Sequence, residues 1–126
     1  MIYGIGTDIV RISRVEDALE RFGRRFAEKV LGDEELLEFD GYHNPARLLA
    51  KRFAVKEATL KALGTGLRMG MSLKDIQLEH DALGKPMLCL SGKAESIARE
   101  RGVGQGFVSL SDEKEYALAF VTLMQA

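Results

Sequence analysis

Cysteine is nearly missing from this chain: its 126 residues hold one, Cys89. A single cysteine excludes an internal disulfide and a cysteine-based zinc site, and it fits a reducing compartment. Charge excess is missing too. Eighteen Lys and Arg face nineteen Asp and Glu, for a net charge of -1, and the sequence pI is about 6.1. That balance argues against a general nucleic-acid binder, which shows a basic excess. No apolar run approaches membrane-spanning length. The opening stretch MIYGIGTDIV carries an early aspartate where a signal peptide has a basic region followed by an apolar run. The reading is a soluble, cytoplasmic protein with neither nucleic acid nor membrane as partner. Residues 1–126 make one ordinary domain, with enough chain for a core and little to spare for a deep private active site.

Hydrophobic period divides the chain. Residues 2–10 alternate around two glycines and read as a strand ending near Asp8. SRVE at Ser13–Glu16 has the form of a capping box, so a helix is expected from there. Val15, Leu19, Phe22, Phe26 and Val30 fall within an arc of about 80° at 3.6 residues per turn, which carries that helix to Val30. A short helix is expected from Asp33. A long one follows, with Asn44 as cap, Pro45 as first residue and Gly64 as stop. Leu73–His80 alternates as a strand, LGKP is a turn, and MLCL is a second strand. Ser91 opens a helix ending near Gly102. FVSLS and YALAFVTLM are two strands joined by the charged turn DEKE. The predicted fold is α+β, with helices packed on one face of a small, mainly antiparallel sheet.

Chemistry enters with FAVKEATLKALGTG, Phe53–Gly66. Glu57 has Phe53, Ala54, Leu60 and Lys61 as helical neighbours, at the shoulder of a stripe formed by Leu49, Phe53 and Leu60. A carboxylate there is partly desolvated and needs a compensating charge. Lys61 supplies one in an ordinary i,i+4 pair, and a bound cation supplies a stronger one. The second candidate acid is Asp8, at the end of an otherwise apolar strand whose Gly4 and Gly6 let something bulky approach the backbone. Asp8 serves equally as a strand-end cap of nearby amides. Taken together, two carboxylates from different elements, with waters and phosphate oxygens, suit magnesium. A neighbouring lysine suits phosphate.

The loop GTGLRMG is not a P-loop. It follows a helix C-terminus, where the dipole repels phosphate. Gly64 reads most simply as a left-handed cap, and the small residues at 64–66 leave room for a ligand to pass. On the first helix, Arg14, Arg21 and Arg25 lie within about 40° of each other. That stripe is either a solvated amphipathic face or a docking rail for an acidic helical partner. His43, His80 and Cys89 lack metal-site spacing and read as packing or surface residues. Tyr116, Phe120 and Met124 read as a mixture of hairpin packing and subunit contact.

Two motifs carry a resemblance. GIGTDIV at Gly4–Val10 and KRFAVKEATLKALGTG at Lys51–Gly66 resemble the two signatures of the holo-acyl-carrier-protein synthases of the 4'-phosphopantetheinyl transferase superfamily. The second has the form F-x-x-K-E-A-x-x-K-A-x-G-T-G, and the separation of the two motifs matches. The likeness extends over the LGKP turn and the closing hairpin. It implies transfer of 4'-phosphopantetheine from coenzyme A to a serine of apo-acyl carrier protein, with Mg2+ required and adenosine 3',5'-bisphosphate released, in support of fatty acid biosynthesis. By position it implies Asp8 and Glu57 as metal ligands and, with Lys61 at the coenzyme A phosphates, as the catalytic set. Gly64 and Thr65 would lie along the cofactor. Arg14, Arg21 and neighbours including Arg25 would dock the acidic carrier. Arg52 points away from Glu57 by about 140° on the same helix and would reach coenzyme A only from another side or for a neighbouring subunit. The resemblance also implies a homotrimer with each site at a subunit interface.

Two positions depart from the family pattern. Many relatives have Glu where this chain has Arg11, and many have a late-strand histidine where it has Asp112. Two other functions stay open on the residues alone: an oligomeric adaptor gripping an acidic helical protein, and a sensor that binds coenzyme A or a related bisphosphate without transfer.

Overall fold

The computed structural model describes all of residues 1–126. Five strands and five helices form the expected α+β arrangement: β1 Ile2–Arg11, α1 Ile12–Phe22, α2 Arg24–Val30, α3 Asp33–Gly41, α4 Pro45–Leu63, β2 Ile76–His80, β3 Pro86–Leu90, α5 Gly92–Glu100, β4 Val103–Asp112 and β5 Tyr116–Gln125. The strands make two sheets rather than one. A three-stranded antiparallel sheet has the order β1-β5-β4, and β2 and β3 form a separate antiparallel hairpin.

α4 is the axis of the molecule. Its start and stop are those read from the sequence: the Asn44 side chain accepts from the Arg47 amide, Pro45 is the first residue, and Gly64 closes it in the left-handed conformation at φ 79°. Ala54, Ala58 and Ala62, four apart on one face, are buried against the inner side of the sheet. Opposite them on β1 are Gly4 and Gly6. A Cβ on Gly4 would stand 2.1 Å from the Ala62 carbonyl oxygen, and one on Gly6 2.0 Å from that of Ala58. The space above the two glycines is therefore filled by the helix, not left for a ligand. β1 and α4 run antiparallel through this contact. Ala117 and Ala119 on β5 also face inward and are fully buried, so the central strand too presents small side chains to the core.

The expected capping box at Ser13–Glu16 does not form. β1 continues through Arg11, which is the N-cap residue of α1 without a side-chain cap bond. The Ile12 amide, the first of the helix, donates to the Glu115 carbonyl, so the sheet edge satisfies one of the helix's unpaired N-terminal donors. The helix expected to reach Val30 breaks at Gly23, whose φ of 67° and ψ of -158° lie outside helical space. Apolar residues on both sides of the break keep one period because α1 and α2 pack on the same core. The strand expected from Leu73 also starts late. Leu73–Asp75 is a single 3-10 turn capped by the Ser72 side chain, and pairing begins at Ile76.

A buried charge fastens the β2–β3 hairpin to α4. Lys56 is 1% exposed, and its ammonium donates to Glu35 Oε1 at 2.8 Å and to the carbonyls of Leu73 and Ile76. Burial pulls the Lys56 pKa down, while Glu35 acts in the opposite sense. Arg52, also buried, donates to Glu35 and Glu38.

Candidate active site

The inward residues of β1 are the even ones, so Asp8 projects on the same side as Gly4 and Gly6. The glycines bring α4 against β1, and Asp8 thereby reaches the level of Glu57 and Lys61. Asp8 and Glu57 both line a cavity of about 360 Å³ where the β1–α1 junction meets α2 and α4. Its apolar wall is Val10, Val15, Phe26 and Phe53. Arg11 and Arg14 stand on the same lining.

Lys61 does not pair with Glu57. Its ammonium crosses to β1 and donates to Asp8 Oδ1 at 3.1 Å and to the Thr7 carbonyl at 3.0 Å. The i,i+4 ion pair open to the sequence is thus replaced by a bond between elements. Glu57 is left with a carboxyl raised above its ordinary value, first by burial, then by the charge of Asp8, with Lys61 acting in the opposite sense. Two carboxylates converge on the cavity, and Lys61 is bonded to only one of them.

A larger cavity, about 600 Å³, lies between β3, α5 and β4. Its acids are already committed. Asp81 accepts the amides of Leu83 and Lys85 within its own turn, and Glu95 pairs with Arg99 at 2.6 Å. Size and chemistry therefore separate in this molecule, and the carboxylate pair marks the smaller cavity as the candidate site.

The other candidate residues divide. Gly64 serves as the left-handed cap of α4. The Thr65 hydroxyl is spent on the Gly66 carbonyl at 2.9 Å, and neither residue lines the Asp8–Glu57 cavity. Arg52 is turned to Glu35 and Glu38, inside the protein and off the cavity. Arg14 and Arg21 share α1, with the Arg21 guanidinium 5.3 Å from the centre of the Phe22 ring. Arg25 lies on α2 beyond the Gly23 break, so the basic stripe is not continuous. Asp112 is held by Arg47 at 2.7 Å and Lys51 at 4.0 Å. The sequence did not mark Arg11 as part of the cavity. Its spacing of three from Arg14 is the available signal, once the helix is seen to start at Ile12.

Comparison with known proteins follows the same residues. A family model described as 4'-phosphopantetheinyl transferase superfamily matches residues 4–121, which include both Asp8 and Glu57. The chain belongs to that superfamily. A holo-[acyl-carrier-protein] synthase from Halorhodospira halophila is 52% identical over 124 residues, covering 98% of each chain. The crystal structure of holo-[acyl-carrier-protein] synthase from Neisseria meningitidis superposes with a TM-score of 0.94 at 46% identity, over 99% of this chain and 100% of that one. A holo-(acyl-carrier-protein) synthase from Bacillus anthracis, solved in complex with CoA (3',5'-ADP), gives a TM-score of 0.84 at 34% identity over 100% and 99% of the two chains. The enzyme class implied by the two signatures, phosphopantetheinyl transfer to acyl carrier protein, stands.

The donor set of this candidate site fits a hard divalent cation. Asp8 and Glu57 offer oxygen ligands only, with Glu57 partly desolvated and beside the charge of Asp8. No cluster of three or more metal-binding side chains exists. Two carboxylates, with the remaining positions left to water and substrate phosphate, are the usual protein share of a magnesium site.

Proposed function

We propose that this chain transfers the 4'-phosphopantetheine group of coenzyme A to a serine of apo-acyl carrier protein, releasing adenosine 3',5'-bisphosphate, with Mg2+ held by Asp8 and Glu57. The observation that carries the reading is the convergence of these two carboxylates, from β1 and α4, on one cavity with Lys61 bonded to Asp8. When bound, the cation supplies charge stabilisation to the pyrophosphate of coenzyme A. The residues supply the rest. Lys61, more than half exposed, is free to turn its ammonium from the Thr7 carbonyl to a phosphate oxygen. Phe26, Phe53, Val10 and Val15 keep bulk water from one side of the reacting atoms. Gly64 and Thr65 give the cofactor a side-chain-poor path beyond Lys61. Arg52 reaches a cofactor only if it leaves its internal partners.

Arg14, Arg21 and Arg25 are proposed to dock the acidic carrier through salt-sensitive contacts. The outer face of the three-stranded sheet supports the homotrimer. Ile5 and Ile9 on β1, Leu118 and Phe120 on β5, and Phe107 on β4 are all exposed there. An apolar sheet face of this kind marks an interaction surface, and a shared interface gives a short chain the extra walls that coenzyme A needs. No helix is long and apolar enough to cross a membrane. A cytoplasmic place in fatty acid biosynthesis completes the reading.

The test is the intact mass of an apo-carrier incubated with the protein, coenzyme A and Mg2+. A phosphopantetheine increment that disappears on chelation is expected. Cofactor binding without an increment would make the protein a sensor, and carrier binding alone would make it an adaptor.

A further inference from the structure

Lys61 closes one of the two carboxylates of the candidate site. Its ammonium bridges Asp8 Oδ1 at 3.1 Å and the Thr7 carbonyl at 3.0 Å, and Glu57 is not its partner. The two ends of the ion pair differ. The Lys61 side chain is 56% exposed and that of Asp8 17%, so the lysine is the end that can move. Both of its bonds lie at the surface, where water takes the place of a departing partner with little loss.

While the pair holds, Asp8 is a poor ligand for a cation. One of its oxygens accepts from the ammonium, and a positive charge stands in contact with its carboxylate. A divalent ion has to displace that ammonium or bind beside it, and like charges so close repel. An anion acts in the opposite sense. A phosphate oxygen offers Lys61 a charge-assisted bond in place of the neutral Thr7 carbonyl. Once the ammonium has turned toward it, Asp8 is open. One side chain is thus a contact for one ligand and an obstacle to the other.

We propose that Lys61 is a latch that couples the two ligands: at rest it closes Asp8 to divalent ions, and the pyrophosphate of coenzyme A opens the ion site by drawing the ammonium away. This rests on the proposed transfer reaction and adds an order of binding to it. The chain at rest holds divalent ions weakly. Coenzyme A enters first or together with its ion, and each ligand tightens the other by the same factor.

Mn2+ affinity read by electron paramagnetic resonance tests it, with and without saturating coenzyme A, on wild type, Lys61→Met and Lys61→Arg. The coupling factor is the ratio of the two dissociation constants. Direct contact between ion and pyrophosphate contributes to that factor in all three proteins, so the latch is what separates wild type from Lys61→Met. The factor should be about tenfold larger in wild type, with Lys61→Arg between the two. Part of the difference should be tighter Mn2+ binding by Lys61→Met without coenzyme A. Calorimetric titration of coenzyme A, with and without Mn2+, should return the same factors. Lys61→Met that binds Mn2+ no better than wild type in the absence of coenzyme A overturns the latch. If the wild type binds no Mn2+ even with coenzyme A, the metal site itself is wrong and this inference falls with it. If the wild type binds Mn2+ with coenzyme A and Lys61→Met shows equal coupling, only the latch fails.

Discussion

Lys61 donates to Asp8 on the facing strand, at 3.1 Å, and not to Glu57 one turn before it on its own helix. The lysine and a divalent cation therefore compete for the same carboxylate oxygen. In Lys61→Met that competition is gone. The variant should bind Mn2+ more tightly than wild type in the absence of coenzyme A, since a positive charge near the ligand has been removed. Its turnover should nevertheless fall by about a hundredfold, because a charge aimed at the phosphates is also gone. Metal titration beside transfer kinetics checks both signs. Tighter metal binding with full turnover would show Lys61 to be a bystander.

Gly6 sets the distance between the two carboxylate-bearing elements. A methyl there would meet the Ala58 carbonyl at 2.0 Å, and both groups are backbone-fixed. Gly6→Ala should lower stability by roughly 2–3 kcal/mol. It should also weaken metal binding by moving Asp8 away from Glu57. Gly41→Ala is the control, with nothing within 4 Å of an added Cβ. Thermal unfolding and Mn2+ binding would separate the two. Equal behaviour of both variants would refute the close-packing account.

Lys56 is a structural cation next in sequence to Glu57, the proposed metal ligand. It holds Glu35 and the carbonyls of Leu73 and Ile76 in a site with almost no exposure. Lys56→Met should cost about 3–5 kcal/mol, because Glu35 and the carbonyls lose a buried donor. Glu35→Leu added to Lys56→Met should recover part of this, as the buried carboxylate goes too. Denaturant unfolding measures the pair. A cost below about 1 kcal/mol for the single variant would place the lysine among weak surface pairs.

Phe120 lies at the middle of the outer sheet face, opposite Thr7 on β1 and Ser109 on β4. Phe120→Lys should leave the fold intact and shift the mass in light scattering from oligomer to monomer, with weaker coenzyme A binding. A wild-type protein that is already monomeric, or a variant that remains trimeric, contradicts the interface.

The legible part of the fold was the part governed by local chemistry. Asn44, Pro45 and Gly64 bounded α4 because capping and the left-handed conformation act within a few residues. Gly23 stayed hidden because Leu19, Phe22, Phe26 and Val30 keep a helical spacing across it, although the backbone turns there. Lys56 was equally hidden: its carbonyl partners come from Leu73 and Ile76, far along the chain, and a helix reading alone sends lysine to solvent. Gly4 and Gly6 were rightly taken as a place of close approach, but what approaches is α4. Asp8 and Glu57 were paired from motif and residue type. Their common cavity required the register between strand and helix, which no local pattern encodes.

The claim on which the account rests is that Asp8 and Glu57 hold one divalent ion together. Mn2+ binding in the presence of coenzyme A, read by electron paramagnetic resonance on wild type, Asp8→Asn and Glu57→Gln, addresses it directly. The account predicts one ion per site in the wild type, at least about a tenfold loss of affinity in each variant, and native circular dichroism in all three. Wild-type affinity in either folded variant would contradict it.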